Sequence, residues 1–265
     1  MVSSLSFFPR ATDTYELTLV GLKRVPVYAS TVTTPSGEDE PQTGQLVLGN
    51  FDVSFGDAPK KLFGRQIDED IIKFMALYHK LDPIPRKSII ILTTQKRNSN
   101  LVDKAETLLS SIAPDSFYVR RHRGKPSIFI TDKQLINELI NTLGNRYTRK
   151  YPHWLIGSKY EKIFIEERMS DVLTPRKNSA EFTSSSINNP VLFRMLINQG
   201  YYVNIRKIEH SAAKKRELWY FTVYPTTGEH VEFITRETGI TPKIRTKNII
   251  DGKPYYEVRN VIPIK

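Results

Sequence analysis

Cysteine is absent from the 265 residues, which removes disulfide staples, thiol nucleophiles and cysteine-ligated zinc together. Histidine is scarce: there are five, and no two stand at HxxxH or HxH spacing, so a histidine-built transition-metal site is not expected. No run of about 18 apolar residues occurs, and the opening "MVSSLSFFPRATDT" has neither a basic n-region nor a long apolar h-region. The chain therefore reads as soluble and intracellular, with no membrane partner. Acidic residues are the minority charge, 28 Asp and Glu against 39 Lys and Arg, a formal +11. That surplus favours a polyanionic partner, nucleic acid first.

What is present falls into three segments. Residues 1–66 carry "YELTLVGL" and "QLVLGNFDVSFG", which alternate or run apolar, separated by the Pro, Gly and acid-rich "TTPSGEDEPQTG"; they read as a small N-terminal β-rich subdomain. From "RQIDEDIIKFMALYHKLD" the pattern turns helical, with Ile71, Ile72, Phe74, Met75, Tyr78 and Leu81 on a broad apolar face and Asp68, Glu69 and Asp70 at its start. A strand "SIIILTT", a helix "SNLVDKAETLLSSIA", strands "SFYVRR" and "PSIFITD", a helix "KQLINELINTLG" and the basic "NRYTRKYPHWLIG" follow. A similar order recurs about 90 residues later, from "KYEKIFIEERMSDV" to "HVEFITRETG" and the basic "ITPKIRTKNI". The segments are thus 1–66, a first repeat 67–158 and a second repeat 159–265.

Each repeat opens with a helix that delivers an acid near its C-terminal end: Asp82 in "MALYHKLDP" and Asp171 in "FIEERMSDV". If those helices lie side by side the carboxylates meet, and like charges so placed need a divalent cation or a raised pKa. Hard oxygen ligands suit Mg²⁺, the ion of phosphodiester hydrolysis. Plainer readings stand beside this one: Asp before Pro is a common turn opener, and Asp171 is one of several acids in "EERMSD". The hairpin "YVRRHRGKP" offers Arg120, Arg121, Arg123 and Lys125, and "NIRKIEHSAAKKREL" offers Arg206, Lys207, Lys214, Lys215 and Arg216 at the matching place. Either is a solvated turn or a ribbon that tracks phosphates; a sheet carrying such side chains fits a major groove about 12 Å wide.

The acid-ended helices, the element order and the two basic segments resemble a monomeric, two-repeat LAGLIDADG (dodecapeptide) homing endonuclease, a type often embedded in inteins. The resemblance covers about residues 68–260 and rests more on order than on letters. It implies an α+β fold: a duplicated αββαββα-like core with antiparallel sheets that lie in the DNA major groove, the two acid-ended helices forming a central interface. By the same resemblance Asp82 and Asp171 would bind catalytic Mg²⁺, Lys150 in "RKYP" and Lys243 in "TPKIR" would polarise the attacking water, and the monomer would bind a long duplex by internal pseudo-two-fold symmetry. Leu77 and Glu166 stand where the family places small residues, and Pro83 and Val172 where Gly follows the acid, so the family's close backbone approach is not available. A second functional class is therefore carried forward, a non-cutting protein of the same fold that binds DNA or RNA as a regulator, maturase-like factor or assembly component. Self-splicing is not expected, given the missing cysteine and the ends "MVSS" and "VIPIK".

Overall fold

The computed structural model describes residues 15–22, 25–29, 32–37, 40–48, 58–94, 100–122, 125–209 and 217–263. The elements begin with β1 (Tyr15–Leu19), β2 (Pro26–Ala29), β3 (Leu46–Leu48), β4 (Lys61–Leu62) and β5 (Arg65–Gln66). A first repeat follows: α1 (Glu69–Lys80), β6 (Asp82–Arg86), β7 (Ile89–Thr93), α2 (Leu101–Ile112), β8 (Phe117–His122), β9 (Lys125–Ile130) and α3 (Lys133–Leu143). The second repeat is α4 (Glu161–Met169), β10 (Thr174–Arg176), β11 (Ser179–Ser184), α5 (Asn189–Asn198), β12 (Tyr202–Glu209), β13 (Glu217–Tyr224) and α6 (Gly228–Thr238), and β14 (Ile249–Ile250) and β15 (Lys253–Pro263) close the chain. Both repeats are therefore αββαββα, each with a four-stranded antiparallel sheet, and the duplicated α+β core is the observed fold.

One strand per repeat was not legible as a strand. The "DPIP" that reads as a turn is β6, and Asp82 is its first residue, paired with Thr93. Its two prolines lie at Pro83 and Pro85, with the same parity on an edge strand. The missing N–H groups therefore point away from β7, where no ladder bond is lost; the Pro83 carbonyl, on that outer side, accepts from the Arg146 N–H at 2.8 Å. β10, with Pro175, is likewise an edge strand.

The chain divides into two compact units. One comprises residues 59–152 and 160–172, and so contains α1 to α4 and the sheet ordered β6-β7-β9-β8. α1 is its centre: Asp68 caps its first turn by accepting from the Ile71 N–H at 3.0 Å, and Ile71, Ile72, Phe74, Met75, Ala76, Leu77, Tyr78 and His79 are all buried. A helix apolar on nearly every side must be surrounded, and α1 packs on α2, α3 and α4. The sheet turns Ile90, Leu92, Ile128 and Ile130 inward, where α2 meets β9 and α3 meets β7.

The other unit comprises 1–58, 153–159 and 173–265. Its sheet β10-β11-β13-β12 buries Phe182, Trp219, Phe221 and Val223. A second sheet, β14-β15-β1-β2 with β3 also on β15, joins the N-terminal strands to the C-terminal one. The two sheets are tied by Tyr256 on β15, whose hydroxyl accepts from the Val203 N–H at 2.9 Å; burial drives its pKa far above the usual phenol range.

Candidate functional site

α1 and α4 both run toward their C-terminal ends with carbonyls that no intrahelical N–H can satisfy and with the negative pole of the helix dipole. Each end is closed by a cation from elsewhere. The Arg149 guanidinium donates to the carbonyls of His79 at 3.0 Å and Leu81 at 2.9 Å, closing α1. The Lys80 ammonium, at the end of α1, closes α4: it donates to the carbonyls of Glu167 at 2.6 Å and Ser170 at 3.3 Å and to the Ser170 hydroxyl at 3.0 Å. The same nitrogen is 2.6 Å from Glu167 Oε1 and 3.7 Å from Asp171 Oδ2, and the Lys80 side chain is 0% exposed. The ends of the two acid-bearing helices do meet, and the group at the meeting point is an ammonium.

Asp171 lies two residues past α4 in the left-handed region, φ +58°, and its Oδ2 also accepts from Lys104 of α2 at 2.7 Å. Burial pushes the Asp171 pKa up, but the Lys104 hydrogen bond and the charges of Lys80 and Lys104 outweigh it and hold the carboxyl below its ordinary range. A depressed carboxylate stabilises the fold above its unfolded pKa and loses that contribution as pH falls through the folded one. Burial lowers the Lys80 ammonium from its ordinary value while Glu167 and Asp171 pull it back up. Asp82, on β6, pairs with Arg146 Nε at 3.3 Å and Arg149 Nη2 at 4.0 Å. Among the described residues no group of three or more His, Cys, Asp or Glu is arranged to hold a metal ion.

Arg146 and Arg149 arrive on the loop after α3, which Gly144 opens at φ +75°. Lys150 follows them, half-buried, its N–H donating to the Leu143 carbonyl. Lys243 is exposed in the irregular segment after α6, in the other unit. Sequence reasoning passed over Lys80 and Arg149. Lys80 ends a helix, where a lysine has an ordinary explanation in that helix's own dipole, and Arg149 is one of three cations in the basic run "NRYTRK", so neither stands out by pattern.

His79 packs behind this site, its ring stacked on Tyr151 at 4.3 Å and edge-on to Phe164 at 6.1 Å. Complete burial, then the Arg149 and Arg168 cations, push its pKa well below 6.5 against a weaker pull from the Lys150 backbone. The unfolded chain thus takes up a proton below pH 6.5 that the folded chain refuses, and stability falls by up to about 1.4 kcal/mol per pH unit. His79→Phe keeps the stack on Tyr151 and is expected to flatten that slope in denaturant titrations run between pH 7 and about pH 5.

The basic hairpins divide by strand parity. Arg120 shares the open sheet face with Tyr118 and Lys125, whereas Arg121 turns to the helix side and pairs with Asp103 at 3.0 Å and Glu106 at 3.3 Å of α2. In the second sheet Arg206 is exposed beside Tyr220, and Lys207, on the Trp219 side, pairs with Glu217. Arg123, Lys214, Lys215 and Arg216 lie outside the described residues. No helix among the described residues is long and apolar enough to cross a membrane.

No family model matches the chain, and no curated protein sequence matches it. Among solved structures it is similar to the crystal structure of I-DmoI in complex with DNA and Mn, with a TM-score of 0.42 and 11% identity, over 64% of this chain and 97% of that one.

Proposed function

We propose that this protein binds nucleic acid through the open faces of its two four-stranded sheets and does not cut it. The observation that carries the second half is the Lys80 ammonium, buried against Glu167 and Asp171 where the helix ends meet. A divalent cation at Asp171 would have to displace two ammonium groups, Lys80 and Lys104, and would face the repulsion of both. Asp82 is likewise neutralised by arginines. The residues present do not fit Mg²⁺, and the site is charge-balanced by the chain's own cations. Binding is supported by the surplus of 39 Lys and Arg over 28 Asp and Glu and by the exposed Arg120, Lys125 and Arg206 on the sheets, whose role is to hold phosphates.

The test is a gel-shift titration with a plasmid and with short fragments, in Mg²⁺ and in EDTA. Binding is expected to be the same in both, to weaken steeply with salt, and to leave the plasmid uncut. Arg120→Ala is expected to lower the salt slope by about one unit. Mg²⁺-dependent double-strand breaks, lost in Asp82→Asn and Asp171→Asn, would sink the reading in favour of an endonuclease.

A further inference from the structure

The open face of the β6-β7-β9-β8 sheet is not the evenly charged surface that phosphate tracking alone needs. Register sets Ile84 beside Ile91, Ile91 beside Phe129, and Phe129 beside Tyr118, so one apolar row crosses all four strands. The Tyr118 and Phe129 rings lie parallel, 2° apart in plane and 5.0 Å between centroids. The Arg120 guanidinium sits 5.1 Å from the first and 5.3 Å from the second. Tyr118 remains 39% exposed, and Lys125 at the neighbouring strand end is exposed too. The β10-β11-β13-β12 sheet repeats the device with different parts. There Arg206 on the edge strand lies directly across from Tyr220, its guanidinium 4.4 Å from the ring centroid.

Reading a duplex from the major groove takes long polar side chains that reach base edges. The Ile84, Ile91, Phe129 and Tyr118 row has one hydroxyl and otherwise only carbon to offer. A base in a duplex hides its π-faces in the stack, whereas an unpaired base exposes them, and a flat ring beside a guanidinium satisfies both that face and the adjoining phosphate. We infer that each open sheet face binds unpaired bases of a single-stranded nucleic acid, stacked on Tyr118 with Arg120 in one sheet and on Tyr220 with Arg206 in the other. This rests on the nucleic-acid-binding reading and names the form of the ligand.

The test uses the full chain and fluorescence anisotropy. The probe is a labelled single strand of mixed sequence, made as DNA and as RNA, and each strand annealed to its complement. The single strand, in at least one of the two sugars, is expected to bind about 10-fold tighter than its duplex. Tyr118→Ala and Tyr220→Ala should each cost about 10-fold, while Tyr118→Phe, which keeps the ring, should bind like the unaltered protein. Duplex binding as tight as or tighter than single-strand binding, in both sugars, overturns the inference without needing any variant. So does an unaffected Tyr118→Ala that circular dichroism shows to be folded. Salt-sensitive binding to neither form would instead defeat the reading on which the inference rests.

Discussion

Replacing Lys80 with methionine will lower the stability of the unit built on α1 by about 3 kcal/mol. Methionine keeps the side-chain volume and the apolar stem, so the loss isolates the ammonium. That ammonium serves two carbonyls, one hydroxyl and two carboxylates. Without it Glu167 loses its ion pair, and Asp171 loses one ammonium while keeping that of Lys104. Desolvated acceptors left without a donor cost more than the pair contributed when made. The partners' exposure, 21% for Glu167 and 28% for Asp171, lets water relieve part of the loss, which places the figure at the lower end for a buried pair. Urea denaturation followed by circular dichroism checks it, and the double variant Lys80→Met with Glu167→Gln should recover part of the loss. A change below about 0.5 kcal/mol, typical of a surface ion pair, would show that the buried ammonium does not hold the helix ends together.

Gly144→Ala will be at least as damaging. A Cβ at that position would lie 2.0 Å from the Thr148 carbonyl oxygen and 2.5 Å from its carbon, both backbone atoms, at a φ of +75°. No rotamer relieves a clash of backbone with Cβ, so the loop from Asn145 to Lys150 must move, and with it Arg146 on Asp82 and Arg149 on the end of α1. The Tyr78 hydroxyl, which donates to the Gly144 carbonyl at 2.7 Å, would lose its anchor as well. About 3 kcal/mol or more is expected. Gly239→Ala is the matched control: its φ is +72° but among the described residues nothing lies within 4 Å of the added carbon, so only the left-handed backbone penalty of about 1 kcal/mol is expected. Equal losses at the two glycines would show that the Thr148 contact is not what fixes the loop.

α1 to α5 were legible because their apolar residues repeat at helical spacing, and the start of α1 carries acids as well, as with Asp68 before Ile71. The two edge strands were not, because proline is read as a breaker, and only pairing shows that Pro83 and Pro85 turn their missing N–H groups outward. β15 escaped notice for a different reason: its partner β1 lies at the other end of the chain, and no local pattern signals a pairing over that distance. The basic hairpins were found, but a run such as Arg120 and Arg121 cannot serve one surface, since adjacent strand residues face opposite ways. The site itself was half visible. Asp82 and Asp171 could be picked out by their place at two helix ends, but Lys80 could not, because a lysine ending a helix already has an ordinary explanation in its own helix dipole. That the carbonyls it serves belong to α4 is a fact of packing.

A lysine ammonium lies among the acids where α1 and α4 meet, and on the proposed reading a divalent ion finds no site beside it. Electron paramagnetic resonance of Mn²⁺ reads this directly, because the free ion's signal is lost when it binds. Titrated into the full chain at low salt, Mn²⁺ is expected to keep its free signal, with no difference between the unaltered protein and Asp171→Asn. Stoichiometric loss of the signal in the unaltered protein, abolished in Asp171→Asn, would contradict it.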